Sequence, residues 1–276
     1  MAIPRTGGVG IYLAFLCGVL LFPDIFNLYE LIFLLSLFFL GFIDDLVSIH
    51  QNIKLCVEII LSILLSIISN WHFSGNYIVD ISIATFFLVG LINALNIIDG
   101  MDGLATGIAI ISCLFLYLLS RSNIALIVIM IYAGFLVWNF HKAKIFLGDS
   151  GSLFLGAVIG LIGLRILKLN PNLKTLVTLT LINCIPIYDS ALSIIRRVIN
   201  RKKLFGPDIN HFYNKIYKKN KNYIGTVISI YFLSAILGAL GLLLFYAKPF
   251  LNLIIGLFIW FVLFISGWKL GFIEEE

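Results

Sequence analysis

The sequence predicts an all-α fold: a polytopic integral membrane bundle of about ten transmembrane helices. The first observation behind this is composition. Of 276 residues, 61% are hydrophobic and 12% charged, and the mean hydropathy is +1.08, whereas soluble domains average about 45–50% apolar and ~25% charged residues. No soluble core hides that much apolar surface, so lipid is the solvent. The second is arrangement, because the apolar residues fall into runs close to the roughly 20 residues that one bilayer crossing takes. The third is the shortness of the polar breaks, which leave no room for a large soluble domain. Residues 1–276 therefore read as a single membrane-embedded domain, with residues 196–222 as a basic loop within it.

Taken in order, the runs cover residues 8–22, 25–43, 53–69, 78–98, 104–120, 123–140, 151–167, 174–195, 223–246 and 250–270. The first is short and follows Arg5, as a signal peptide would, but no small-x-small cleavage pattern follows Phe22. The second ends on Asp44 and Asp45, and the third opens on Lys54 and Glu58, an i, i+4 pair read as structural. The fourth runs into a polar stripe, and the seventh follows a cluster of small polar residues. The eighth carries Pro186 and the intramembrane Asp189, which is expected to orient Arg196 or Arg197. The four cysteines, Cys17, Cys56, Cys113 and Cys184, lie inside apolar runs without paired spacing and read as buried thiols.

Placing the N-terminus and every second loop on one face puts 14 of the 19 Lys and Arg there, which makes that face cytoplasmic and puts both termini inside. The acids divide the same way, 11 of 14 near the inner face. Chemistry is therefore expected at the cytoplasmic helix ends, and the net charge of +5 reads as topology, with no nucleic-acid partner.

Four inner segments carry the candidate residues. Adjacent Asp44 and Asp45 in GFIDDLVS repel one another unless a cation sits between them. In NALNIIDGMDGLATG, the residues Asn93, Asn96, Asp99 and Asp102 recur every third position, a stripe of oxygen ligands suited to a hard cation and a phosphorylated ligand. In AKIFLGDSGSLFLG, Asp149 is either an N-cap for a helix beginning near Gly151 or part of a phosphate site at that helix start. The basic loop offers Arg196, Arg197 and His211 for a pyrophosphate, with His211 just after the turn signal Gly206-Pro207-Asp208. His50, His72 and His141 have no partner that sequence can name.

Together, PRTGGVGI at 4–11, the Asp-Asp pair, NALNIIDGMDGLATG, AKIFLGDSGS, PIYD at 186–189 and PDINH at 207–211 resemble the polyprenyl-phosphate N-acetylhexosamine-1-phosphate transferases. The resemblance implies that Asp149 binds catalytic Mg2+ (Mn2+ being an alternative), with Asn96 a second ligand. It implies that Asp44 and Asp45 sit beside the attacking lipid phosphate, and that Phe146 and Asp102 face the uracil of a UDP-sugar. Arg196, Arg197 and His211 then belong to a cytoplasmic phosphate-binding loop. The expected catalytic set is Asp44, Asp45, Asp99 and His211, and the expected substrate-binding set is Asn93, Asp102, Phe146, Arg196 and Arg197. The implied partners are undecaprenyl phosphate, a UDP-N-acetylhexosamine and membrane lipids, with a homodimer admitted, in the inner membrane of a bacterium with the active site facing the cytoplasm. Family members usually carry a further helix ahead of the segment matching PRTGG, which implies a start upstream of Met1 or one helix fewer. Bacterial members commonly have several His in the last loop, whereas Phe212, Tyr213 and Asn214 follow His211 here. That favours the GlcNAc-1-phosphate branch over the phospho-MurNAc-pentapeptide branch.

The implied reaction is attack of undecaprenyl phosphate on the phosphorus that carries the sugar, releasing UMP and starting a lipid-linked surface glycan such as O-antigen or capsule. A transporter of a lipid or ion is the alternative, but transporters place polar sites near the midplane between repeated halves, and here the acids crowd one face. An intramembrane aspartyl protease would need the Tyr-Asp pair ahead of Gly-x-Gly-Asp, and the order in this chain is reversed.

Overall fold

The computed structural model describes residues 3–203 and 210–274, which contain twelve α-helices and no strand. They are α1 (Gly7–Leu21), α2 (Leu28–Val47), α3 (Gln51–Ser69), α4 (Tyr77–Ile97), α5 (Leu104–Ser120), α6 (Asn123–Asn139), α7 (Gly148–Leu169), α8 (Leu173–Ile182), α9 (Cys184–Ile199), α10 (Phe212–Asn220), α11 (Tyr223–Tyr246) and α12 (Pro249–Lys269). A single 3-10 turn, Pro23–Ile25, joins α1 to α2. Asparagine starts many of these helices. Asn27, Asn76, Asn172 and Asn222 each cap the helix that follows by accepting from its first-turn N–H groups. At α2 the cap is reciprocal, because the Asn27 N–H also bonds Glu30 Oε2 at 3.0 Å.

All ten predicted segments are helical, but they differ in what they can span. Helices α3, α4, α7, α11 and α12 are long and apolar enough to cross a bilayer alone. The eighth predicted segment is two helices, α8 and α9, meeting at Asn183 with an 87° bend, so it is a sixth span or a re-entrant pair. Helices α1, α5 and α6 are apolar but only 15, 17 and 17 residues long. Helix α2 has 20 residues but carries Glu30, Asp44 and Asp45. The expectation of about ten crossings counts all four of these. The basic loop is not all loop, since Phe212–Asn220 is helical; Gly206, Pro207 and Asp208 lie outside the described residues.

Helix α7 is the axis of the bundle. Every residue from Ser150 to Leu164 is buried, against α2 on one side and α4 on another. A Cβ at Gly156 would meet the α4 backbone at Ile92, so glycine is what lets these two helices touch. The bundle core is rich in leucine, with Leu34, Leu37, Leu88, Leu91 and Leu161 fully enclosed, and includes buried aromatics such as Phe15, Tyr132 and Phe154. Burial of the cysteines corrects the sequence reading in part. Cys113 and Cys184 are buried, whereas Cys17 and Cys56 are exposed on the outside of the bundle.

Candidate active site

The site is built where the C-terminal end of α2 meets the N-terminal end of α7. A Cβ at Gly41 would collide with the backbone at Asp149 and Ser150, so only glycine allows this approach. One turn later, Asp45 reaches across and accepts from Asp149 N (2.8 Å), Ser150 N (3.0 Å) and Ser150 Oγ (2.7 Å). Those amides are among the first of α7 and have no partner within their own helix, so the Asp45 carboxylate caps a neighbouring helix and complements its dipole. This corrects the reading of Asp149 as a cap: α7 begins at Gly148, Asp149 lies in its first turn, and the capping carboxylate comes from α2.

Asp44, next in the chain, faces the other way. Its Oδ1 accepts from Ile49 N at 2.5 Å, closing the α2–α3 turn, and its Oδ2 takes the Lys54 ammonium at 2.9 Å. The same ammonium bonds Asp149. Lys54 thus ties three helices together instead of simply pairing with Glu58 along α3. Glu58 accepts from Asn93 Nδ2, and Asn93 also donates to Val89 O at 2.9 Å.

The expected stripe of Asn93, Asn96, Asp99 and Asp102 does not lie on one helix. Asn93 and Asn96 belong to α4, which stops at Ile97, and Asp99 and Asp102 sit on the turn leading to α5. Asn96 Nδ2 donates to Ser152 Oγ at 2.8 Å, which leaves its amide oxygen as the remaining acceptor. The turn carries Asp99 and Asp102 over a cavity of about 370 Å3 that is also lined by Asp45, Asp149, Phe146 and Arg5. Four aspartates and one arginine therefore line one space. Burial, followed by the charges of Asp149, Asp45 and Asp102, pushes the Asp99 carboxyl up to about 7.

The rim is fixed by backbone. Phe146 N donates to Pro4 O (3.0 Å), Gly7 N to Phe146 O (3.1 Å) and Gly8 N to Leu147 O (3.0 Å), so the PRTGG segment is strapped to the loop that carries Phe146. Asp102 is also held in place. Its Oδ2 accepts from Ala143 N at 3.1 Å and lies 3.2 Å from His141 Nδ1, and the Tyr223 hydroxyl meets its backbone N–H. The His141 and Tyr223 rings stack at 4.2 Å.

The basic loop contributes differently from expectation. Arg196 is buried, with its guanidinium donating to Phe272 O at 3.0 Å and Ser193 Oγ at 3.2 Å, so it clamps the segment after α12. Arg197 donates to Lys203 O at 2.8 Å, and neither arginine lines the acidic cavity. Asp189 does not reach either guanidinium; it holds His211, whose Nδ1 lies 2.8 Å from Asp189 Oδ2 and 3.3 Å from Ser193 Oγ, while Phe212 N donates to Asp189 Oδ1. His211 stacks flat on Tyr213, and the Tyr213 hydroxyl lies against the backbone at Gly100, a residue of the cavity wall.

Among the described residues, no three His, Cys, Asp or Glu side chains converge as a ready metal cage. A magnesium ion does not need one, because it is ordinarily held by one or two carboxylates with water and substrate phosphate completing the shell. The donor set here has that character: hard oxygens of Asp149 and Asp99 line a polar cavity with surplus negative charge, and Asn96, outside that lining, bonds Ser152 one turn along α7 from Asp149.

Sequence reasoning missed four contributors. Lys54 was placed on the structural side, although a buried lysine in a membrane helix is itself a signal. Arg5 enters the sequence reading as a topology charge, as the base ahead of the first run and as part of PRTGGVGI, with no role in the site. His141 and Tyr223 carry no local pattern that links them to Asp102.

Comparison with known proteins bears on what such a site does. Residues 27–167 match the family described as Glycosyl transferase family 4. The chain is 30% identical to a probable undecaprenyl-phosphate N-acetylglucosaminyl 1-phosphate transferase of Bacillus subtilis (strain 168), over 91% of this chain and 76% of the relative. It is 33% identical to an undecaprenyl-phosphate alpha-N-acetylglucosaminyl 1-phosphate transferase of Thermotoga maritima, over 79% of this chain and 69% of the relative. A phospho-N-acetylmuramoyl-pentapeptide-transferase of Staphylococcus epidermidis is 29% identical over 76% of each chain.

Proposed function

We propose, from the premise that this chain belongs to glycosyl transferase family 4, that it transfers N-acetylhexosamine 1-phosphate from a UDP-sugar to undecaprenyl phosphate and releases UMP. The observation that carries the reading is the acidic cavity at the α2–α7 junction, where four aspartates and Arg5 line one space at the ends of apolar helices. An amphiphilic acceptor needs a site there, with its tail in lipid and its phosphate at the water boundary. The excess of Lys and Arg assigned to that face supports a cytoplasmic site in a bacterial inner membrane.

Two anionic phosphates must meet, so charge is the main barrier. Asp149 and the Asn96 amide oxygen, with Asp99 facing the same cavity, would hold Mg2+. That ion supplies neutralisation of the developing charge on the phosphates. Arg5, exposed at the rim, contributes a forked cation for phosphate oxygens. Phe146 and Asp102, in the same cavity lining, would face the nucleotide base. Asp45 keeps the N-terminus of α7 in register, and Asp44 keeps Lys54 beside Asp149. No strong base is required. A phosphate monoester with a second pKa of about 6 is already ionised at neutral pH, so Asp44 and Asp45 act in positioning. His211, oriented by Asp189, stacks on Tyr213, whose hydroxyl lies against Gly100 of the cavity wall.

Purified protein supplied with undecaprenyl phosphate, Mg2+ and a panel of UDP-sugars tests the reading. UMP release that requires the lipid and the metal, with a UDP-N-acetylhexosamine as the preferred donor, is expected. A folded enzyme that releases no UMP with any donor would refute it.

A further inference from the structure

Lys54 and Glu58 lie one turn apart on α3, and both are buried. The Lys54 ammonium is shared between Asp44 and Asp149. Glu58 has only half of its carboxylate engaged: Oε2 accepts from Asn93, whereas Oε1 is buried and has no hydrogen-bond partner among the described residues. A buried carboxylate oxygen left unsatisfied is costly, and it calls for a second arrangement in which it is paired. The cation best placed to provide one is four residues earlier on the same helix face.

We propose that Glu58 is an alternative dock for the Lys54 ammonium, used when a divalent cation takes Asp149. The proposal rests on the reading of Asp149 as a metal ligand. Without the cation, Lys54 neutralises Asp149. With it, an ammonium left at Asp149 would repel the ion and compete for the same carboxylate. Turning to Glu58 Oε1 relieves that repulsion and satisfies the orphan oxygen in one movement, while Asp44 remains within reach of the ammonium. Asn93 then has a definite part as a positioning residue. By holding Oε2, it leaves Oε1 as the oxygen available to Lys54. In this arrangement the protein itself carries the counter-charge of the unloaded site, and loading exchanges one cation for another without stranding a buried charge.

The test titrates the full chain in detergent micelles with Mg2+ alone and follows the thermal unfolding midpoint, for the parent, Glu58→Gln, Lys54→Met, the double variant and Asp149→Asn. Glutamine keeps an acceptor for Asn93, and the metal-free midpoints show whether each variant is folded. Glu58→Gln is expected to weaken apparent Mg2+ affinity by about tenfold, Lys54→Met to tighten it, and Glu58→Gln to have no further effect in the Lys54→Met background. Equal weakening in both backgrounds would make Glu58 merely a nearby negative charge and overturn the exchange. Unchanged affinity in Glu58→Gln would overturn it as well. An Asp149→Asn variant that binds Mg2+ like the parent, or a parent with no saturable response, would overturn the metal reading and the exchange together. Weakened binding in Asp149→Asn combined with equal Glu58→Gln effects would sink the exchange alone.

Discussion

The two ends of the α2–α7 pair are built from the same residue types and do opposite things. At the outer end, Glu30 is buried and meets Arg165 through both oxygens, with Arg165 Nε at 2.9 Å from Oε1. Arg165 also donates to Ile25 O at 2.9 Å and lies 5.4 Å from the Phe26 ring centroid. One acid, one base and a capping box close that end completely. At the inner end, the cavity wall holds Asp45, Asp99, Asp102 and Asp149 with Arg5, and the buried Lys54 is divided between Asp44 and Asp149. Charge is balanced where the protein needs only to hold together and left in excess where it has work to do. The difference teaches that intramembrane carboxylates are not equivalent signals, and that the local balance of charge, acid matched by base or acid in excess, separates structural ones from chemical ones.

The sharpest way to break the comparison is to neutralise one charged residue at each end. Asp149→Asn is expected to cost about three orders of magnitude in turnover, the scale of losing one preorganised charge contact to the reacting groups, with little change in the metal-free unfolding midpoint; UMP release and thermal melts check both. Arg165→Met, at the other end, is expected to destabilise by about 2–3 kcal/mol, below the ~3–5 kcal/mol of a fully buried broken pair because Arg165 is one-third exposed. Turnover per folded molecule should stay within about twofold of the parent, as expected when a residue touches only structure. A large turnover loss in Arg165→Met would erase the distinction between the two ends.

Smaller effects sharpen it. Asp189→Asn preserves shape but removes the carboxylate that orients His211, and a loss of about 10–100-fold in kcat is expected, as for outer partners of functional histidines. Steady-state kinetics at saturating donor checks it, and unchanged kcat would reduce the Asp189–His211 pair to a structural contact.

A pH series addresses Asp99. Its folded-state carboxyl is pushed up to about 7, above the ordinary value of 3.8, so the folded protein holds a proton that the unfolded chain has already lost. Stability from this group is therefore full below about pH 4, declines as pH rises toward 7 and levels beyond it. Metal-free thermal midpoints between pH 4.5 and 8 should show that decline in the parent and a shallower one in Asp99→Asn. Identical slopes would contradict it.

How much of this was legible in the sequence depends on the distance between partners. The ten apolar segments are a local, compositional signal, and all of them are helical in the structure; of the acids expected to crowd one face, Asp45, Asp99, Asp102 and Asp149 line one cavity. The 87° break at Asn183 has no such signal, because α8 and α9 read as one apolar run and the bend arises where the chain turns within the bundle. Helix α10 hid in a segment whose lysines mask its apolar face, Phe212 and Tyr213. Partner choice was the least legible. Lys54 has Glu58 four residues away yet bonds Asp149, 95 residues on. Asp102 finds His141 at a separation of 39 residues, and Arg196 turns to Phe272 instead of the cavity. Periodicity reports which face is buried and says nothing about which distant charge waits there.

The central claim is that the acidic end of the α2–α7 pair transfers a phosphorylated sugar, and donor labelling tests it most directly. A UDP-N-acetylhexosamine labelled in the phosphate next to the sugar is incubated with the enzyme, undecaprenyl phosphate and Mg2+, and the products are separated. The account predicts that the label moves into the lipid fraction while unlabelled UMP is released. Label that stays with the nucleotide as UDP, with only the sugar reaching the lipid, would contradict it.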